Sequence, residues 1–212
     1  MFKFANHGHM LFPEYFRQSI RISPSFWRWG TMCNNETLVF MACLAKTVSA
    51  PIVEFGTFIG RTTRAMAMNT DQKIHTIDIG WGVQDPSNSR GYDYYIPGDE
   101  FRKTPEEARI ELIIGDSREV DLSRLYGTIG LVFIDGGHSK EVVESDTRKA
   151  FQLIRPDGMI VWDDCSGTWP EVRDFVCGLN EDRMLFIEKD NMMLYWGPAT
   201  SRLGSVEQYE AA

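Results

Sequence analysis

Short apolar runs rich in Ile, Val, Leu and Phe recur along the chain at 51–55 (PIVEF), 74–79 (IHTIDI), 110–114 (IELII), 131–135 (LVFID), 159–163 (MIVWD), 184–188 (MLFIE) and 192–196 (MMLYW). Their nearly unbroken apolarity is the pattern of strands buried on both faces. Helical stretches fall between most of them. Over 34–49, Leu38, Met41, Ala42 and Ala45 repeat at helical spacing behind Asn34 or Asn35 as cap, with Glu36 in the first turn. Further helices are predicted at 60–69, briefly near 105–109, and at 139–154, where Ser139 is the cap and Pro156 and Gly158 supply the stop. "TWPE" at 168–171 starts one more, with Thr168 as cap, Pro170 in the first turn and Glu171 three residues past the cap. Strands alternating with helices predict an α/β fold with a mainly parallel sheet. The last two runs, joined by a "KDN" turn, form a hairpin and so add one antiparallel strand.

Two segments stand outside this alternation. Residues 1–33 form an aromatic-rich extension with Phe2, Phe4, Phe12, Tyr15, Phe16, Phe26, Trp27 and Trp29, no clean period, and Pro13 and Pro24 interrupting it. Such a segment packs on the domain, on a partner subunit as a homodimer contact, or over the active site. Residues 34–212 read as one domain, in which the Gly-, Pro-, Ser- and Tyr-bearing stretch 81–103 is expected to be a long lid loop.

Composition narrows the function classes. With 212 residues, 43% hydrophobic and 25% charged, the chain has the balance of an ordinary soluble domain. A formal charge of −8 argues against a nucleic-acid partner, which leaves a basic footprint. No apolar run approaches the roughly 20 residues needed to span a bilayer. "MFKFANHGHMLF" has no continuous apolar segment of the signal-peptide kind, so a cytoplasmic location is expected. Cys33, Cys43, Cys165 and Cys177 show no CxxC pairing and are expected to be buried free thiols.

The chemistry lies in how the strands end. In open parallel sheets, ligands bind outside the carboxyl ends of the strands. The five inner runs deliver Glu54, Asp78, Asp116, Asp135 and the pair Asp163–Asp164 to that one edge. Clustered carboxylates repel unless a cation or hydrogen-bond donors compensate them. Glu54-Phe-Gly56-Thr57-Phe-Ile-Gly60 is a strand-to-helix turn of the nucleotide-binding type, with Phe58 near the place of the absent middle glycine; a purely structural turn is the alternative. Asp78 is placed to accept both hydroxyls of a ribose, or is a solvated strand-end acid. Asp116 with Ser117 either meets an adenine amino group or caps the following turn. Asp135, Asp163 and Asp164 end adjacent strands, and an oxygen-only set of this kind favours Mg²⁺, Mn²⁺ or Ca²⁺; the alternative is a hydrogen-bonded acidic group. His138, just beyond Asp135, is a general base, a metal ligand or a solvent-facing helix-start histidine.

At these residues the chain resembles the class I S-adenosylmethionine-dependent methyltransferases, and within them the catechol O-methyltransferase-like enzymes and metal-dependent sugar O-methyltransferases. The resemblance covers roughly residues 34–196 and rests on "VEFGTFIGRTT", "FIDGGH" and "VWDDC" in order. It implies a Rossmann-like, doubly wound, seven-stranded sheet. Glu54, Gly56, Thr57 and Gly60 would line the methionine end of the cofactor, Asp78 would hold the ribose, and Asp116 with Ser117 would flank the adenine. Asp135, Asp163 and Asp164 would hold a divalent metal, most simply Mg²⁺. Related sugar methyltransferases can carry an acidic base where this chain has Gly137, so the base falls to His138, with Asp135 beside it in the catalytic group. The implied reaction moves a methyl group to a hydroxyl of a small molecule: a sugar, a phenol or a natural product. A NAD-dependent oxidoreductase, and a non-catalytic module that keeps the fold, are the rival readings.

Overall fold

The structure, a computed structural model, describes residues 3–5, 19–23, 35–80, 95–179, 182–187 and 191–199. Most of the aromatic extension, residues 81–94 of the expected lid loop, and Cys33 lie outside these. Eight strands form one sheet: β1 (Lys3–Ala5), β2 (Ile52–Phe55), β3 (Ile74–Asp78), β4 (Ile110–Ile114), β5 (Ile129–Ile134), β6 (Ile154–Trp162), β7 (Met184–Ile187) and β8 (Met192–Trp196). Their order is β1-β7-β8-β6-β5-β2-β3-β4. Every neighbouring pair is parallel except β6/β8 and β7/β8, so β8 is the one reversed strand. Seven of these are the expected strands. The eighth is β1, three residues of the extension that add in parallel to β7.

Among the described residues four α-helices cover the two faces: α1 (Asn35–Thr47), α2 (Arg61–Ala67), α3 (Lys140–Leu153) and α4 (Pro170–Cys177). Phe40, Met41 and Leu44 of α1 and Met66 of α2 pack with Ile52, Leu131 and Phe133 on one side. Val143 and Leu153 of α3 and Val172 and Val176 of α4 pack with Val53, Phe55, Val132 and Trp162 on the other. Alternation along β2 therefore sends Val53 and Phe55 towards α3 and α4, and Ile52 and Glu54 towards α1 and α2. Trp162 is fully buried, and its indole N–H donates to the Thr147 hydroxyl at 2.8 Å, so its polar atom is satisfied.

Three local expectations are corrected. "RPDG" does end α3, but β6 begins at once: its register with β5 jumps from Ile129↔Ile154 to Leu131↔Met159, so 155–158 bulge out of a strand already under way. Ser139 sits at the α3 cap without a side-chain bond; the carboxylate of Glu171 from α4 instead accepts the Lys140 N–H at 2.8 Å. The α4 cap position is Trp169 rather than Thr168, again with no side-chain cap bond. Cys43 and Cys165 are buried free thiols as expected, and Cys177 is half-buried and free. Among the described residues no helix is long and apolar enough to cross a membrane.

Candidate active site

The chain runs from β2 outward to β3 and β4, then returns to the far side of β2 as β5. The crevice outside the ends of β2 and β5 is therefore the sheet's switch point, where ligands bind in this architecture. Gly56 follows β2 there with φ 95°, and a Cβ on it would lie 2.0 Å from the carbonyl oxygen of Asp135, which follows β5. Only glycine lets these two strand ends approach so closely. Gly60, φ 85°, faces the Phe101 ring, which would stand 2.6 Å from an added Cβ. Between them Phe58, in place of the missing glycine, itself adopts a left-handed φ of 47°. That conformation costs a non-glycine residue about 1–2 kcal/mol. It is held by a hydrogen bond from the Phe58 N–H to Asp78 Oδ2 (2.8 Å), and the Phe58 carbonyl accepts from the Gly98 N–H (2.8 Å).

Glu54 lies beneath this turn, 1% exposed. Its Oε2 accepts from the hydroxyls of Thr63 and Thr76, while Oε1 is buried without a hydrogen-bond partner. Burial pushes its carboxyl up to about 7, against the pull of the two threonine bonds. Thr57 joins the same network, its hydroxyl 2.6 Å from that of Thr76, so its side chain is committed to the interior and only its backbone is available to a cofactor.

Asp78, at the end of β3, is 6% exposed and gathers three donors: the N–H groups of Phe58 and Gly80 and the hydroxyl of Tyr95, each at 2.8 Å. Asp116 behaves as the turn cap. It accepts from the backbone N–H of Arg118 and pairs with that residue's guanidinium at 2.6 Å, which holds its carboxyl below the usual range. An adenine contact from Asp116 would have to compete with that pair. Ser117 is held from below by α3, where the Lys149 ammonium donates to the carbonyls of Ser117 (2.5 Å) and Val120 (2.7 Å). One turn earlier on α3, Asp146 is 1% exposed and pushed up to about 7 by burial. The Ser117 side chain eases that charge, yet neither Asp146 oxygen has a partner of hydrogen-bond geometry.

Asp135, Asp163 and Asp164 come to the ends of adjacent strands as expected. Burial, and then the negative charges of Asp163, Asp164 and Glu54, raise the Asp135 carboxyl well above the usual range. The side chains are nevertheless not arranged as a ligand set: among the described residues no three His, Cys, Asp or Glu groups are placed to hold a metal ion. Asp163 Oδ1 accepts the Asp164 N–H at 2.8 Å, and Asp164 Oδ2 lies 2.7 Å from His138 Nε2. The His138 ring also stacks on Trp169, centroids 3.8 Å apart and planes 11° from parallel. His138 is thus held between an acid from the end of β6 and an indole at the start of α4.

Sequence reading missed Trp169, Asp146, Thr63 and Thr76, and gave Tyr95 only as one of the lid-loop aromatics expected to close over the acceptor. Trp169 sits inside the "TWPE" signal that marked the helix start, and Tyr95 inside the expected lid. The other three carry no local mark, since their roles arise only when α2, α3 and β3 pack.

A family model described as "Methyltransferase domain" matches residues 53–165 of this chain, just over half of it. No curated protein sequence matches. Among solved structures, the chain is similar to the S-adenosylhomocysteine-bound methyltransferase PaMTH1 of Podospora anserina, with 17% identity, 87% of this chain and 92% of that one covered, and a TM-score of 0.61. The O-methyltransferase TomG of Streptomyces achromogenes, solved with S-adenosylmethionine, is 15% identical over 87% of this chain and 94% of its own, with a TM-score of 0.57. CalS11, a TDP-rhamnose 3′-O-methyltransferase of calicheamicin biosynthesis, is 18% identical over 75% and 78%, with a TM-score of 0.52. At these identities the structures share the fold.

Proposed function

From the premise that the chain belongs to the methyltransferase-domain family, we propose that it is an S-adenosylmethionine-dependent O-methyltransferase acting on a hydroxyl of a small molecule such as a sugar, a phenol or a natural product. One observation carries this reading. The cofactor-type turn Gly56–Gly60 meets the loop that starts at Asp135 at the switch point, so a sulfonium held by the first would lie near the second. The O-methyltransferases among the structural neighbours support it.

In this reading the turn and Asp78 would hold the cofactor. The cofactor would supply a methyl group on a sulfonium that leaves as a neutral thioether, and His138 would take the proton of the accepting hydroxyl. Asp164, 2.7 Å from Nε2, would orient the imidazole for that role. Trp169 fixes the ring plane. The protein's work is chiefly alignment of oxygen, carbon and sulfur, because the cofactor already carries the leaving group.

Asp135, Asp163 and Asp164 offer the carboxylate-oxygen donors that a hard divalent cation takes, although Asp163 and Asp164 would first have to leave the Asp164 N–H and His138 to form a ligand set around one. Those three residues would hold it, and it would supply Lewis-acid stabilisation of the acceptor oxygen. Exhaustive dialysis against a chelator, with Mg²⁺ added back, tests this: activity lost and restored supports the cation, and unchanged activity removes it from the mechanism. The cofactor class is tested by titrating the protein with S-adenosylhomocysteine and with NADH. Saturable binding of the first alone is expected; binding of NADH alone would establish the oxidoreductase reading instead.

A further inference from the structure

The hydrogen bonds around Asp78 set a limit on how a ribose can bind there. A carboxylate offers about four acceptor positions, two on each oxygen. Oδ1 already takes two donors, the Gly80 N–H and the Tyr95 hydroxyl, and Oδ2 takes the Phe58 N–H. A diol gripping both oxygens needs one free position on each, and Oδ1 has none left. Two of the three donors are backbone groups fixed by the turns after β3 and β2. The third is a side chain that can swing away.

We propose that Tyr95 is a residue of the cofactor site, occupying on Asp78 the acceptor position that a ribose hydroxyl takes, so that cofactor binding breaks the Tyr95–Asp78 contact and product release remakes it. This rests on the reading of Asp78 as the ribose acid. Tyr95 is well placed for the exchange. Its ring lies 4.8 Å from that of Phe58, tilted by 43°, and the chain that follows it is docked on the same turn independently of the hydroxyl. That docking comes from N–H bonds of Gly98 to the Phe58 carbonyl (2.8 Å) and of Glu100 to the Ile59 carbonyl (2.9 Å). Burial and the Asp78 charge push the phenol well up, so the hydroxyl stays a donor and competes in every pH range the enzyme meets. Tyr95 therefore weakens affinity for substrate cofactor and spent cofactor alike.

Calorimetric titration of S-adenosylhomocysteine into the full chain tests this, comparing the wild type with Tyr95→Phe and Asp78→Ala. Tyr95→Phe keeps the ring packing and removes only the competing donor. It should bind on the order of tenfold more tightly, the scale of one charge-assisted hydrogen bond partly offset by water. The gain should shrink with the 2′-deoxy or the 3′-deoxy analogue, whichever lacks the hydroxyl that replaces Tyr95. If Asp78→Ala loses binding but Tyr95→Phe binds equally or more weakly than wild type, the exchange is refuted and the ribose reading stands. If Asp78→Ala binds like wild type, or the wild type does not bind at all, the ribose reading falls and the proposal with it.

Discussion

Replacing Glu54 with glutamine should flatten the dependence of stability on pH. Glu54 is fully enclosed, one of its oxygens has no partner, and its carboxyl titrates at about 7 rather than 4.5. Below the unfolded value both states carry the proton and the group contributes nothing to the pH dependence. Between the two values the unfolded chain has lost the proton while the folded protein keeps it, so folding is progressively penalised as pH rises. The slope ends once the folded group also ionises. A displacement from 4.5 to about 7 corresponds to about 3 kcal/mol lost across that window at roughly 1.4 kcal/mol per unit. Glutamine preserves the shape and the partners Thr63 and Thr76 without the titration. Guanidinium unfolding of the cofactor-free protein at constant ionic strength, from about pH 4.5 to 8, measures the effect. The unfolding free energy of Glu54→Gln minus that of wild type should rise by about 3 kcal/mol over this range. Parallel curves would show that Glu54 ionises normally, and the account of its burial would be wrong.

Gly56→Ala should cost about 2–4 kcal/mol of stability, from a left-handed alanine and a Cβ forced onto the Asp135 carbonyl. It should also abolish S-adenosylhomocysteine binding; an alanine variant that melts and binds like wild type would contradict the close approach. Trp169→Ala should lower kcat about tenfold through a loosened His138 while leaving cofactor affinity unchanged. Trp169→Phe, which still offers a flat ring, should recover most of that loss. An equal loss in both variants would count against stacking as the cause.

The strands whose apolar runs are long enough to be buried on both faces were legible, and so was the edge to which they carry their acids. β1 was not: three residues within an aromatic segment have no period, and only pairing with β7 makes them a strand. Among site residues, Gly56 and Gly60 could be recognised because turn geometry is local, and Phe58 showed its importance only through its φ. Asp116 illustrates the converse. Its arginine partner is two residues away in the sequence, and that pair gives it the cap arrangement weighed beside an adenine contact. The Thr57 hydroxyl is drawn inside by Thr76 from a neighbouring strand, a contact no local pattern records. The three aspartates were correctly brought to one edge, but which atoms they face depends on His138 and on the left-handed turn at Asp164, φ 57°.

Transfer of an isotopically labelled methyl group from S-adenosylmethionine to a panel of hydroxyl acceptors, by wild type and by His138→Ala, tests the central claim most directly. The wild type should label an acceptor oxygen, and the variant should bind cofactor equally well but transfer about 10²-fold or more slowly, the loss expected for a general base. Transfer at the wild-type rate by His138→Ala, or label found on no hydroxyl acceptor while the cofactor is bound, would contradict it.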